Sequence, residues 1–461
     1  MSDLNQLRQQ IEEQAIDFVD LRAVDLTGRW RHVTLPAKRL TEALLRDGVG
    51  FDGSNYGFRG VEGSDMVLVP DLLTAYVEDA GGERLMVLIS NVHDAGSQER
   101  ASLDPRGVAE RAAAVLRSRG QGDDLFVSPE FEYYVFESAR FHSDPAKSGL
   151  EFESVEGCEG RDDLTPFVGA ASAYHASVPG DRLFSMRCEV ARRAAAAGID
   201  VKYHHHEVGA FGQQEIELGF APLVRMADVT MIMKLLVRGA ADDLGLSATF
   251  LPKPMHGHAG SGMHLHQYVM QGGRNRFNGG RGLSEVGLCY IGGVLTHGRS
   301  LMALTNASTN SYRRLVPGHE APVCFVFGSG NRSAAVRIPA YAKGETTRME
   351  LRTMDATCNP YLAFAAILLA GLDGIARKLN AQDLGFGPFE RDASVPEASA
   401  ETPPRTLDEA LDALEADHDY LVADGVFTPG LLEEWVRVKR QEAACVALRP
   451  HPHEVALYYD L

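Results

Sequence analysis

The sequence predicts an α+β protein in two parts, a small β-rich domain over residues 1–104 and a large domain of strands and helices over 105–461. Three observations carry that expectation. A chain of 461 residues exceeds what one small core holds, so two domains, one of them large, are expected. Up to residue 104 most apolar runs are short and bounded by turn residues, as strands are. Beyond residue 104, helical periodicity alternates with strands whose polar side chains fall two residues apart.

Along the chain, Leu4, Leu7 and Ile11 place an apolar stripe on a polar opening helix, which is not the pattern of a signal peptide. Residues 16–36 give two short strands about a turn carrying Gly28, the second ending before Pro36. MVLVPD and ERLMVLISNVHD supply more strand. Gly48-Val-Gly50-Phe-Asp-Gly53 has the spacing of a dinucleotide fingerprint. It follows a helix-like segment, LTEALLRDG, and runs into loop residues, so it lacks the strand before and helix after that such a motif requires. Asp104 and Pro105 are a good N-cap and first residue for a helix with a buried stripe of Val108, Ala112, Val115 and Leu116, stopped by Gly120.

Helices are expected again in LSEVGLCYIGGVLTHGRSLMALT and NPYLAFAAILLAGLDGIARKL. The apolar run Tyr361–Leu372 reads as a buried helix, and no run approaches the roughly 18 apolar residues that cross a bilayer. Residues 393–405 form a Pro/Ala/Ser-rich surface loop, after which Thr406 and Glu409 make a capping box. In the tail, Val455, Leu457 and Tyr459 alternate as a pairing strand would.

Composition is that of a globular protein, 45% hydrophobic and 23% charged, and a net charge of −18 argues against nucleic acid as a partner. Six scattered cysteines without CxxC pairing suit free thiols in a reducing cytoplasm.

Four stretches carry the chemistry: Glu130 and Glu132, Glu215 and Glu217, His264 and His266, and Arg348, Glu350 and Arg352. In a strand, residues two apart face the same way. The opposite faces carry Phe131, Tyr133, Ile216, Leu218, Met263, Leu265, Met349 and Leu351. One carboxylate pair is ordinarily a solvated strand face. Four such stretches together describe a polar cavity, because buried charge demands pairing or metal. Oxygen-rich donors with few nitrogens suit Mg²⁺ or Mn²⁺ better than Zn²⁺. Clustered arginines suit a polyphosphate and a carboxylate. Such equipment serves ATP-driven phosphoryl transfer, yet no GxxxxGK[ST] loop is present to hold the nucleotide. Position 210 is Ala, so His206-Glu207 starts no HExxH. The run His204-His205-His206 cannot share one strand face and reads as a polar strand end beside the cavity.

The chain resembles class I glutamine synthetases from end to end. The resemblance rests on FDGSNYGF (51–58), GSDMVLVPD (63–71), SPEFEYYVF (128–136), HHHEVGAFGQQE (204–215), LPKPMHGHAGSGMHLH (251–266), NSYRRLVPGHEAP (310–322), NRSAAVRIP (331–339), RMELR (348–352), NPYLAFAAILLAGLDGI (359–375) and RPHPHEVALYYDL (449–461). It implies an N-terminal β-grasp domain, a large catalytic domain with a curved antiparallel sheet, and a dodecamer of two hexameric rings with active sites between subunits. It implies two or more Mg²⁺ or Mn²⁺ ions per active site, one on Glu132, Glu207 and Glu215 and a second on Glu130, His264 and Glu350. Arg314, Arg352 and the Gly260 backbone would hold glutamate. His266, Phe220, Arg332, Arg337 and Arg348 would surround ATP and its phosphates. Glu320 would close the site on a flap, and Asp52, reaching from an adjacent subunit, would bind and deprotonate ammonium beside Tyr174. Tyr174 is equally readable as core, and Glu217 as structural.

The sequence departs from the family pattern near the amine and glutamate positions. Asn55 replaces a serine, His258-Ala259 precedes Gly260 where an amide is usual, and the Pro-Pro after the Tyr174 region is missing. No tyrosine lies between 362 and 419, so adenylylation control is not expected. The expected reaction is ligation of ammonia to glutamate. A γ-glutamyl–amine ligase using an organic amine, and a non-catalytic binding protein, are the rival readings.

Overall fold

The computed structural model describes residues 3–58, 63–156, 168–169, 172–280, 282–317, 321–390 and 401–461. The N-terminal sheet contains β1 (Phe18–Val24), β2 (Trp30–Pro36), β3 (Val49–Asp52), β4 (Asp65–Pro70), β5 (Tyr76–Ala80) and β6 (Glu83–Asp94). Its order is β2-β1-β6-β4-β3, with β5 also on β6. β1 runs parallel to β6 and the other pairs are antiparallel. The helix Leu4–Glu13 buries Leu4, Leu7 and Ile11 against one face of this sheet. Gly48 caps the helix Glu42–Asp47 and β3 follows it, so the glycine-spaced motif runs helix to strand, the reverse of a dinucleotide fold.

The turn between β1 and β2 docks on the rest of the molecule. Gly28 has φ +87°, and a Cβ there would stand 3.1 Å from the Cα of Asn359. The Asn359 amide donates to the carbonyls of Asp25 and Leu26 at 3.2 Å, and the Trp30 indole donates to the Met231 carbonyl at 2.9 Å.

Among the described residues the second sheet has ten strands. They are β7 (Asp124–Phe136), β10 (Val201–His206), β11 (Gln213–Leu218), β12 (Ala221–Pro222), β13 (Ser247–Thr249), β14 (Met263–Gln271), β15 (Arg274–Asn275), β16 (Phe327–Ser329), β17 (Val336–Ile338) and β18 (Met349–Leu351). The hairpin β8 (Ser138–Asp144) with β9 (Lys147–Glu153) stands apart. The path is β10-β11-β7-β14-β18-β17-β16, antiparallel except between β16 and β17. Phe131, Ile216, Met263, Leu265 and Met349 are buried in one core with residues of the helices Pro105–Ser118, Leu223–Asp242 and Pro360–Arg377. Pro360–Arg377 is long and apolar enough to cross a membrane by composition, but here most of it is packed inside the protein.

Two local expectations change. Thr406 caps the helix Leu407–Ala416 by accepting the Glu409 N–H at 3.1 Å, but the Glu409 carboxylate takes the N–H of Arg405, one residue early. The tail is a helix, Pro452–Tyr458, with every side chain exposed. His451 caps it, Pro452 supplies its first turn, and Glu454 bonds back to the His451 N–H; these start signals outweigh a short apolar alternation.

Candidate active site

The polar rows of the four stretches lie on neighbouring strands. Glu215 of β11 faces Glu132 of β7, and Glu217 faces Glu130. On the other side of β7, His264 of β14 faces Glu130. His266 faces Glu350 of β18, and Arg337 of β17 faces Glu350 in turn. Side-chain alternation within strands and register between them therefore bring the charged groups to one side of the sheet. Of these, Glu130, Glu132, Glu215, His264 and Arg337 border a cavity of about 580 Å³ with Tyr174, Gly260, Arg314, Arg332 and Arg352 on its walls.

Among the described residues three donor sets are formed, two of them beside the cavity. Ligand atoms of Glu130, His264 and Glu350 lie within 4.8 Å of one another, and so do those of His205, Glu207 and Glu215. Glu132 stands between the sets. One of its oxygens accepts the Gly262 N–H at 2.7 Å, and the other is 3.5 Å from His264 Nε2. Burial and the charges of Glu132 and Glu215 push the Glu207 carboxyl up to about 9. Burial, Glu130 and Glu132 likewise lift Glu215 well above the usual carboxylate range. Glu207 Oε2 is buried with no hydrogen-bond partner among the described residues. Burial opposes ionisation of Glu130 too, but His266 and His264 hold it well below its usual range. A buried excess of carboxylates with orphaned oxygens calls for cations, and oxygen donors with one imidazole per set fit Mg²⁺ or Mn²⁺.

The arginines are held by the same groups. Arg337 Nη1 donates to Glu350 Oε2 at 2.5 Å, and Arg352 pairs with the other oxygen of Glu350. Burial opposes ionisation of Glu350, but Arg352 and His266 keep its carboxyl below the usual range. Arg314 is buried, donates to the carbonyls of Thr353 and Arg352 at 3.1 Å, and lies 3.3 Å from His264 Nε2. Its path requires two glycines. A Cβ on Gly262 would fall 2.4 Å from Arg314 Nη2, and one on Gly260 2.7 Å from Arg314 Cγ. Arg332 is exposed on the cavity wall, and its carbonyl accepts from Arg352 Nε at 2.9 Å.

The remaining expected residues are placed less uniformly. Arg348 lies 5.6 Å over the Phe220 ring and 5.3 Å over Tyr341, while Phe220 packs at 5.0 Å on Tyr268. His266 is fully buried under the row, 2.7 Å from Glu130 Oε1, and does not border the cavity. Tyr174 is half exposed on the cavity wall, stacked on His175 at 4.1 Å and edge-on to His205 at 5.3 Å. Asp52 stands exposed on the N-terminal sheet, away from its own chain's cavity, with Ser54 bonded to one oxygen and the Asn55 amide to the other. Glu320 lies outside the described residues.

The consecutive histidines diverge. His205 turns to Glu207 and Glu215, His204 lies beside Arg187, and His206 pairs with buried Glu156 at 2.9 Å. Sequence reading missed His205 as a donor, although it stands two residues before Glu207 and obeys the same alternation. Lys202, Tyr203, His175 and Tyr341 were also missed; they reach the cavity walls through a bulge and through loops, which carry no period.

Comparison with known proteins agrees with this architecture. Residues 15–95 match the model of the glutamine synthetase beta-Grasp domain, and residues 102–458 that of the glutamine synthetase catalytic domain. A glutamine synthetase of Frankia alni is 40% identical, covering 98% of each chain. A 3-hydroxylaminophenol mutase of Cupriavidus pinatubonensis is 39% identical, again over 98% of each chain. The glutamine synthetase structure of Plasmodium falciparum superposes with a TM-score of 0.90 at 24% identity, covering 100% of this chain and 99% of that one.

Proposed function

The chain belongs to the glutamine synthetase family, a family of ligases, and from that premise we propose that it joins ammonia to the γ-carboxylate of L-glutamate at the expense of ATP. The observation that carries this reading is the pair of carboxylate–imidazole donor sets, 130/264/350 and 205/207/215, walled by four arginines in one cavity. Glu130, His264 and Glu350 would hold one Mg²⁺ or Mn²⁺ ion, and Glu207 and Glu215 with Glu132 or His205 the other. When bound, the ions supply positive charge that screens the ATP phosphates.

The chain's own groups do the rest. Arg314 and Arg352, with the Gly260 backbone, bind and orient glutamate. Arg332, Arg337 and Arg348 hold the phosphates, and Phe220 offers a ring for the base, with His266 fixing Glu130 beneath them. The glutamate γ-carboxylate attacks the γ-phosphorus, the bond to the β,γ-bridging oxygen breaks, ADP leaves and γ-glutamyl phosphate forms. Ammonium gives a proton to Asp52 of an adjacent subunit, and the ammonia so formed displaces phosphate beside Tyr174, while Glu320 closes the site against water. Asp52 is exposed and does not line its own chain's cavity, which supports a site shared between subunits. Leu448, Tyr459 and Leu461, all more than four-fifths exposed, supply apolar surface for the stacking of two rings. A domain boundary near residue 104 is supported by the helix that Asp104 caps.

The test is ADP release and glutamine formation with glutamate and ammonium, compared with methylamine, ethanolamine and polyamines. Turnover with ammonium supports the reading; turnover only with an organic amine replaces it with the γ-glutamyl–amine ligase. That second reading is favoured by the exposed faces of Tyr174 and His175 on the cavity wall and by Ala259 where the family pattern has an amide. A relative 39% identical and named a mutase shows that overall identity alone does not decide the reaction.

A further inference from the structure

A third donor set lies deeper in the sheet than the two discussed above. Glu130, Glu217 and His266 bring ligand atoms within 4.8 Å of one another, and all three are buried. Glu217 is fully buried, His266 Nε2 is 4.0 Å from its Oε1, and its Oε2 has no hydrogen-bond partner among the described residues. On geometry alone this resembles another divalent-cation site.

It already contains a cation. Lys202 Nζ lies 2.5 Å from Glu217 Oε1, although the lysine side chain is 38% exposed along the cavity wall. Ordinary strand geometry would not put it there. Tyr203 is the register partner of Glu217, so its neighbour Lys202 belongs on the other face of β10. The register between β10 and β11 shifts between Val201 and Tyr203, leaving Lys202 as the extra residue of a bulge. Bulges re-aim side chains in this way. The ammonium consequently stands beside Glu217 and 5.0 Å over the Tyr203 ring, with its alkyl stem reaching in from the wall.

Resting on the two-ion reading of the site, we propose that Lys202 is a built-in counter-cation. Its ammonium neutralises Glu217 and excludes a third divalent ion from the Glu130–Glu217–His266 set. Glu130 is thereby kept available to the ion it shares with His264 and Glu350. A tethered monovalent charge does this permanently, whereas a free divalent ion there would compete for the Glu130 carboxylate. Lys202 is thus a positioning residue acting through Glu217 and Glu130.

The experiment counts Mn²⁺ bound per subunit in the intact protein, by equilibrium dialysis with electron paramagnetic resonance of the free ion. The wild type is expected to bind two ions. Lys202→Met and Lys202→Gln bind three, Lys202→Arg returns to two, and Lys202→Met combined with Glu217→Gln also returns to two. Thermal melting accompanies each variant, so that misfolding of one leaves the others decisive. Two ions in every protein, or three already in the wild type, overturns the proposal while leaving the ligase reading intact. No ion in the wild type removes the ligase reading itself.

Discussion

Glu207→Gln should stabilise the metal-free protein while destroying its response to metal. Glu207 is partly buried beside Glu132 and Glu215, and its carboxyl is raised from 4.5 to about 9. A carboxyl raised on folding takes up a proton that the unfolded chain has released, so stability falls as pH climbs between those two values. At pH 7 the unfolded group is ionised and the folded one protonated. The penalty is the interval from 4.5 to 7 at 1.36 kcal/mol per unit, roughly 3 kcal/mol. Glutamine keeps the shape without the charge and removes that penalty. In EDTA at pH 7 the variant should therefore melt a few degrees above wild type. With Mn²⁺ at a hundredfold excess over its dissociation constant the wild type gains about 2.7 kcal/mol, and the variant gains much less. Calorimetry with and without Mn²⁺ reads both effects. A variant that melts lower in EDTA and gains as much from Mn²⁺ as wild type would refute the charge-crowding argument.

Other perturbations have different signs. Glu350→Gln should destabilise the metal-free protein, because it withdraws the carboxylate that pairs with both Arg337 and Arg352; breaking such a buried pair costs about 3–5 kcal/mol, readable as a lower melting temperature in EDTA. His297 is buried with Nε2 2.9 Å from Asp373 and Nδ1 2.8 Å from Asp417, and although burial opposes its charge, the two carboxylates raise its pKa above 6.5. Its contribution is complete below that value and is lost as pH rises through the folded one; His297→Gln should accordingly flatten the alkaline decline of the melting temperature. Asp52→Ala and Glu215→Ala should each be inactive yet folded, and mixing them through dissociation and reassembly should restore part of the ADP release if one subunit's Asp52 serves its neighbour's cavity. A mixture that stays inactive, although mixed assemblies form, would show that Asp52 does not serve its neighbour's cavity.

The site was legible wherever a period-two pattern met a buried strand. Glu130, Glu132, Glu215, His264 and Glu350 announce themselves through alternation with Phe131, Ile216, Met263 and Met349, and the register then brings them together. Alternation says which face a residue takes but not which neighbour it touches. Glu132 accordingly turns to the Gly262 N–H, and His205 stands in the donor set with Glu207 and Glu215. Lys202 was illegible because a one-residue bulge reverses its face without any glycine or proline to mark it. In the tail, apolar alternation suggested a strand, but His451, Pro452 and Glu454 form a complete helix start. Asp52 is placed by the N-terminal sheet and does not line the cavity that the other expected residues share within one chain.

The most direct measurement is anomalous scattering from a crystal of the protein grown with MnCl₂ and a non-hydrolysable ATP analogue. The account predicts two manganese peaks in the cavity, one on Glu130, His264 and Glu350 and one against Glu207 and Glu215, with the analogue's phosphates beside Arg337. An ordered analogue with no manganese between those side chains would contradict it.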